Sequence, residues 1–191
     1  MKRLLPVFCL LLVANLFYTP SALSEDFVER EMDAGFLGAG WLSGDVNIDG
    51  GETVMTKQTS PMGRFFIDYY LQPGFAIGFY SQLSFYSAEM GHSTIIEGGF
   101  SLKPRVLLSQ MLAVKPSIMV GFRRGVFRDP ALNSVAVTGF GAQGAVEFQV
   151  AMGPTSILFV EGGFLNQLMG KNMVESVTWT AIPYAGLGIA F

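Results

Sequence analysis

The sequence predicts an all-β fold, an eight-stranded antiparallel up-and-down transmembrane β-barrel, and three observations predict it. Half of the 191 residues are apolar, yet beyond residue 24 no uncharged apolar run approaches the ~18 residues of a transmembrane helix. The same stretch alternates apolar and polar residues with a period of two, the pattern of strands that keep one face in an apolar medium. Its connections alternate between short turns and longer polar loops. A chain this apolar without a spanning helix needs another way to satisfy its backbone in hydrocarbon. A closed barrel, which has no unpaired edge, is the other solution.

Residues 1–24 read as a cleaved signal peptide, and residues 25–191 as one barrel domain. Lys2 and Arg3 supply the positive start, an apolar stretch follows from Leu4, and Ala22-Leu23-Ser24 places small residues at the cleavage site. The apolar stretch, roughly 15 residues, is shorter than the ~20 a spanning helix needs. Cys9 lies within it behind Pro6-Val7-Phe8 rather than behind small residues, so it does not read as a lipidated cysteine. Cleavage leaves 167 of the 191 residues, enough for one domain, with no cysteine. It also leaves 10 of the 12 basic residues against 15 acidic ones, an acidic balance that argues against a nucleic-acid partner.

Eight strands are expected at residues 32–44, 61–71, 74–87, 94–108, 112–124, 136–150, 155–166 and 176–191. Each is long enough to cross a membrane at a tilt. Gln72-Pro73, Ser109-Gln110-Met111 and Ala151-Met152-Gly153-Pro154 read as short turns, and residues 45–60, 88–93, 125–135 and 167–175 as long polar loops on the other side. Outward positions are Phe65, Ile67, Tyr69 and Leu71 in the second strand and Phe75, Ile77, Phe79, Leu83 and Phe85 in the third. The fourth adds Ile96, Phe100, Leu102 and Val106, and the sixth Phe140, Val146, Phe148 and Val150. The 23 glycines would give larger inward neighbours room in a narrow barrel. Tyr69, Phe75 and Phe191 on the turn side, with Phe85, Phe122 and Trp179 on the loop side, suggest two aromatic girdles. Two places break the pattern. Trp41 shares the parity of Asp33, so it points inward unless the first strand carries a bulge. Ile157 and Phe159 share the parity of Glu161, which makes the inner face of the seventh strand partly apolar.

The inward positions carry ionisable residues of both signs: Asp33, Asp68, Glu97, Glu147 and Glu161 against Arg64, Lys103, Arg105, Lys115 and Arg123. Uncompensated charge in a low-dielectric interior costs several kcal/mol per ion. The balance therefore predicts a salt-bridged luminal network. Eight strands enclose a space that side chains can fill, which argues against an open aqueous pore.

The last strand ends Ala185-Gly186-Leu187-Gly188-Ile189-Ala190-Phe191, with Leu187, Ile189 and Phe191 alternating with small residues. This resembles the C-terminal signature of bacterial outer-membrane barrels, and the strand pattern resembles the small eight-stranded barrels related to outer-membrane proteins A, X and W. The resemblance implies a bacterial outer-membrane location. It implies outer-membrane lipid and lipopolysaccharide as surroundings, and the barrel-assembly machinery as a partner that reads Leu187, Ile189 and Phe191. It implies no single activity, because function does not follow from fold.

Catalytic and metal chemistry find few residues. The single histidine, His92, adjoins Ser93, but adjacency does not make a dyad, and Thr94 stands where a lipid A deacylase of the His-X-Ser type would have serine. No enzyme activity and no cofactor are expected. Asp45, Asn47, Asp49 and Glu52 match the opening of a calcium loop, yet Thr56 occupies the position of the twelfth-residue glutamate, so the segment reads chiefly as a polar loop. Gly38-Ala39-Gly40 lacks the third glycine of a dinucleotide loop. A soluble lipocalin-like barrel would carry its charges outside, and Ala39 stands where its Gly-X-Trp motif needs glycine. The expectation is a structural or surface-interaction barrel, with a narrow channel for small apolar molecules or ions as the alternative.

Overall fold

The computed structural model describes residues 30–41, 44–48, 53–56, 60–88, 91–128, 134–153, 155–171, 176–179 and 182–191. The expected signal peptide and its cleavage site lie outside them. The strands are β1 (Met32–Trp41), β2 (Gly44–Ile48), β3 (Thr53–Thr56), β4 (Ser60–Gln72), β5 (Phe75–Ala88) and β6 (Gly91–Pro104). They continue with β7 (Val106–Leu107), β8 (Leu112–Arg128), β9 (Ser134–Ala151), β10 (Ile157–Lys171), β11 (Ser176–Trp179) and β12 (Ile182–Ala190). Every pairing is antiparallel. The wall runs β1-β4-β5-β6-β8-β9-β10-β12, and β12 also pairs β1, so the ring of eight closes. Phe191 fastens the turn-side end of the seam through two backbone hydrogen bonds with Ala34, at 2.9 and 3.0 Å.

Alternation decides which face is which. On β4 the outward Phe65, Tyr69 and Leu71 are exposed, while Arg64, Phe66 and Asp68 between them are buried. The same inversion recurs around the ring: Phe140 is 64% and Phe164 61% exposed, whereas Asp33, Asp68, Lys115 and Glu147 are wholly enclosed. A soluble barrel would bury the phenylalanines and expose the ions, so this wall is built for hydrocarbon. Tyr69, Phe85 and Phe191 are exposed near the strand ends, Phe122 is exposed but six residues before the end of β8, and Phe75 is half-buried. The Trp179 side chain lies outside the described residues.

The loop side corrects the sequence reading. Residues 45–60 are not simply a loop, because β2 and β3 form within them. The pair Val46↔Trp179 keeps the frame of Trp41↔Tyr184, and Gly170↔Val177 keeps that of Leu165↔Ile182. β2 and β11 thus continue the β1–β12 seam past the lipid band. Polar side chains there cost nothing, while each added pair still gains its backbone bonds. The same reason lengthens β8, β9 and β10 beyond their expected ends and reduces the expected loop 88–93 to a tight hairpin whose last pair is Ala88↔Gly91. Of the single expected strands at 32–44 and 176–191, the described parts are β1 with the start of β2, and β11 with β12. The expected strand at 94–108 is interrupted at Arg105, whose N–H bonds the Gly74 carbonyl at 2.8 Å. The β1 register runs unbroken to Trp41 on both sides, so there is no bulge before it.

Inward glycines sit where large side chains lean across the lumen. A Cβ on Gly188 would strike the Phe159 ring, one on Gly141 the Arg123 guanidinium, and one on Gly78 the Asp68 carboxylate. Gly144 faces outward with nothing within 4 Å of its missing Cβ. Gly188→Ala is therefore expected to destabilise the barrel by about 1–3 kcal/mol through overpacking. Gly144→Ala should be neutral or mildly stabilising, because an extended alanine restricts the unfolded chain. Urea midpoints of the micelle-folded protein test the contrast.

Candidate functional site

The candidate site is the lumen itself. All ten ionisable residues that the sequence places inside are buried there. They form two clusters along the barrel.

The turn-side cluster holds Asp33, Asp68 and Glu147 with Lys103, Lys115 and Arg105. Lys115 lies 2.7 Å from Asp68 and 3.7 Å from Asp33, and Lys103 lies 3.0 Å from Asp68 and 3.1 Å from Glu147. The Tyr70 hydroxyl donates to Asp33 at 2.5 Å and accepts from Lys115 at 3.0 Å. Gln149 donates to Glu147 at 2.9 Å. Arg105 donates twice to the Pro73 carbonyl and stacks over Tyr70 at 4.0 Å, closing the turn-side mouth. Arg30 adds an ion pair to Asp33 at 2.7 Å from just before β1.

The loop-side cluster holds Glu97 and Glu161 with Arg64 and Arg123. Arg64 donates to Glu161 at 2.6 Å, Gln143 at 2.7 Å, Gln82 at 2.9 Å and the Tyr184 hydroxyl at 3.1 Å. Its guanidinium lies between the rings of Tyr80 and Tyr184. Tyr184 donates to Glu161 at 2.6 Å. Glu97 accepts from Tyr80 at 2.5 Å, Arg123 Nε at 2.6 Å and Gln143 at 2.9 Å, and it ion-pairs the far end of the Arg123 guanidinium as well.

The loop-side cluster sets two acids against two bases; the turn-side cluster sets three acids against three luminal bases, with Arg30 as a fourth cation on Asp33. Local pairing matters because attraction falls with distance while the desolvation of each ion does not. Phe66, between Arg64 and Asp68 on β4, packs edge-on against Phe159 at 5.7 Å and lies 4.4 Å beneath Lys103. Ile157 and Phe159 are buried beside Glu161, so the inner face of β10 is partly apolar. The arrangement can hold the wall rigid and fill its bore.

Sequence reasoning did not assign Arg30, Tyr70 and Tyr184 to this assembly, nor pair Gln82 and Gln143 with Arg64. Parity alone places Tyr70 with Asp68, and that signal was available. Tyr184 follows only from the closure of β12 on β10. His92 and Ser93 are successive positions of β6. The His92 side chain lies outside the described residues. Asp45 and Asn47 fall in extended, paired β2 rather than in the curl of a calcium loop, while Asp49 and Glu52 lie outside the described residues. No cluster of three or more His, Cys, Asp or Glu residues is placed to hold a metal among the described residues.

A closed antiparallel ring of eight strands, apolar outside and ionised inside, defines a small membrane-spanning β-barrel. No protein-family model and no curated protein sequence matches the chain. Among solved structures it is similar to Neisserial surface protein A, with a TM-score of 0.65 at 9% identity over 84% of this chain and 96% of that one. It is also similar to outer membrane protein OprG of Pseudomonas aeruginosa, with a TM-score of 0.58 at 10% identity over 88% and 99%. The N-terminal β-barrel domain of OprF from the same organism gives 0.51 at 8% identity over 85% and 97%. The fold is that of the small eight-stranded outer-membrane β-barrels.

Arg64→Met strands Glu161 in the lumen without its cation. The expected loss is about 3–5 kcal/mol. Adding Glu161→Gln to that variant should restore part of the loss, with a coupling of about 1–3 kcal/mol in a double-mutant cycle of urea unfolding. Strictly additive losses would mean that the pair does not act as a unit.

Proposed function

We propose that the protein is a non-enzymatic barrel of the bacterial outer membrane with a structural or surface-interaction role, its bore closed to solutes. The observation that carries this reading is the lumen, where two salt-bridged clusters and the Phe66–Phe159 contact occupy the space a pore would need. The exposed apolar wall supports residence in lipid, with lipopolysaccharide as the outer-leaflet surroundings. The loop-side extension of β2, β3 and β11 is the surface from which a partner would be met.

Planar bilayers containing the purified protein should show no conductance steps above background. Reproducible steps would establish a narrow channel and overturn the closed-bore reading.

Leu187, Ile189 and Phe191 face outward on the closing strand, and on this reading the barrel-assembly machinery engages them. Phe191→Ala should therefore lower the folded, heat-modifiable fraction in cells several-fold while changing unassisted refolding in micelles little, since the backbone bonds to Ala34 persist.

A further inference from the structure

We infer that Arg124 is a docking point for the phosphate of an outer-leaflet lipid, at the loop-side edge of the apolar wall. The inference rests on the outer-membrane reading above. The outward positions of β8 run Leu112, Val114, Pro116, Ile118, Val120 and Phe122, all apolar, and then Arg124. From Leu112 to Phe122 the strand advances ten residues. At ~3.4 Å per residue and a tilt of ~40°, that rise is about 25 Å, the height of the apolar band of such barrels. Arg124 stands about 5 Å beyond it by the same rise and tilt, at the level of lipid headgroups.

Arg124 is an exception on this wall. Among the residues whose side chains are described it is the one charged group on the outer face of the wall strands, and it is exposed; Arg128, four positions on, shares its parity. Its neighbour Arg123 turns inward to Glu97, so the two arginines serve opposite sides of the wall. No hydrogen bond or ion pair holds Arg124 among the described residues. It pairs in register with Thr138 on β9, which is exposed, and with Ile96 on β6, which is 59% exposed. Just below, Phe122 and Phe140 form an edge-on pair at 5.8 Å. The register also places Arg128 higher on β8, opposite His92. A guanidinium above an exposed aromatic and aliphatic surface matches a lipid whose phosphate sits at the interface and whose first methylenes lie beneath it. The planar fork can donate two parallel hydrogen bonds to phosphate oxygens. Thr138 is placed to add a third.

The test uses the full chain folded in micelles and offered lipid A carrying both phosphates or the same lipid dephosphorylated, with the lipid retained per barrel read by native mass spectrometry. The wild type should prefer the phosphorylated form about tenfold, equivalent to about 1.4 kcal/mol. Arg124→Gln should abolish that preference, and Arg124→Lys should keep part of it, the charge without the fork. A wild type indifferent to phosphate, or an Arg124→Gln variant with the full preference, overturns the docking point. Heat-modifiable migration and insertion into phosphatidylcholine vesicles separate the two levels. Insertion without phosphate preference refutes the docking point alone, whereas failure to insert refutes the membrane-barrel reading and the docking point together.

Discussion

Any polar group carried across hydrocarbon has to find its partner within the chain itself. That constraint shapes this molecule at two scales. For the backbone it demands a sheet without edges, which β12 supplies by pairing β1 on one side and β10 on the other. For the side chains it demands that ions turn inward and meet counter-ions there. Both demands fall on the same strands, because the period of two that sends phenylalanine outward sends the next residue into the bore.

The lumen shows how an interior can be ionic while its charges are paired within the chain. Lys115 is enclosed by Asp68, Asp33 and Tyr70, and Arg64 by Glu161, Gln82, Gln143 and Tyr184. Such bonds rigidify the wall rather than leave groups free to exchange with passing solutes. Side chains of this length need space, and glycine on the facing strand provides it: Gly141 lies under Arg123, Gly78 beside Asp68, and Gly188 under the Phe159 ring. The glycine content that would weaken a soluble sheet is here a condition of filling the bore.

Much of this was legible before any coordinates. The inward and outward sets on β4, β5, β6 and β9 follow from parity, and so do all ten buried ions. The loop side was misread for a physical reason. Alternation of apolar and polar residues reports a boundary between lipid and lumen, and it vanishes where both faces meet water. Thr53-Val54-Met55-Thr56 and the distal parts of β8, β9 and β10 therefore look like loops, although their backbones continue the ladder. Arg124 was the last residue of the expected strand 112–124, where a single charge at a strand end carries no signal of its own.

The sequence by itself determined the class of fold, the inversion of the wall and the near-equal charge of its interior, because each depends on the residue and its parity and on nothing farther away. Only the tertiary structure decided which acid meets which base, and that the charges gather into two clusters along the bore. Arg64 and Glu161 are 97 residues apart. They meet because strand tilt and the β12 closure bring β4 and β10 across one bore, and that stagger is a property of the whole ring that no local stretch encodes.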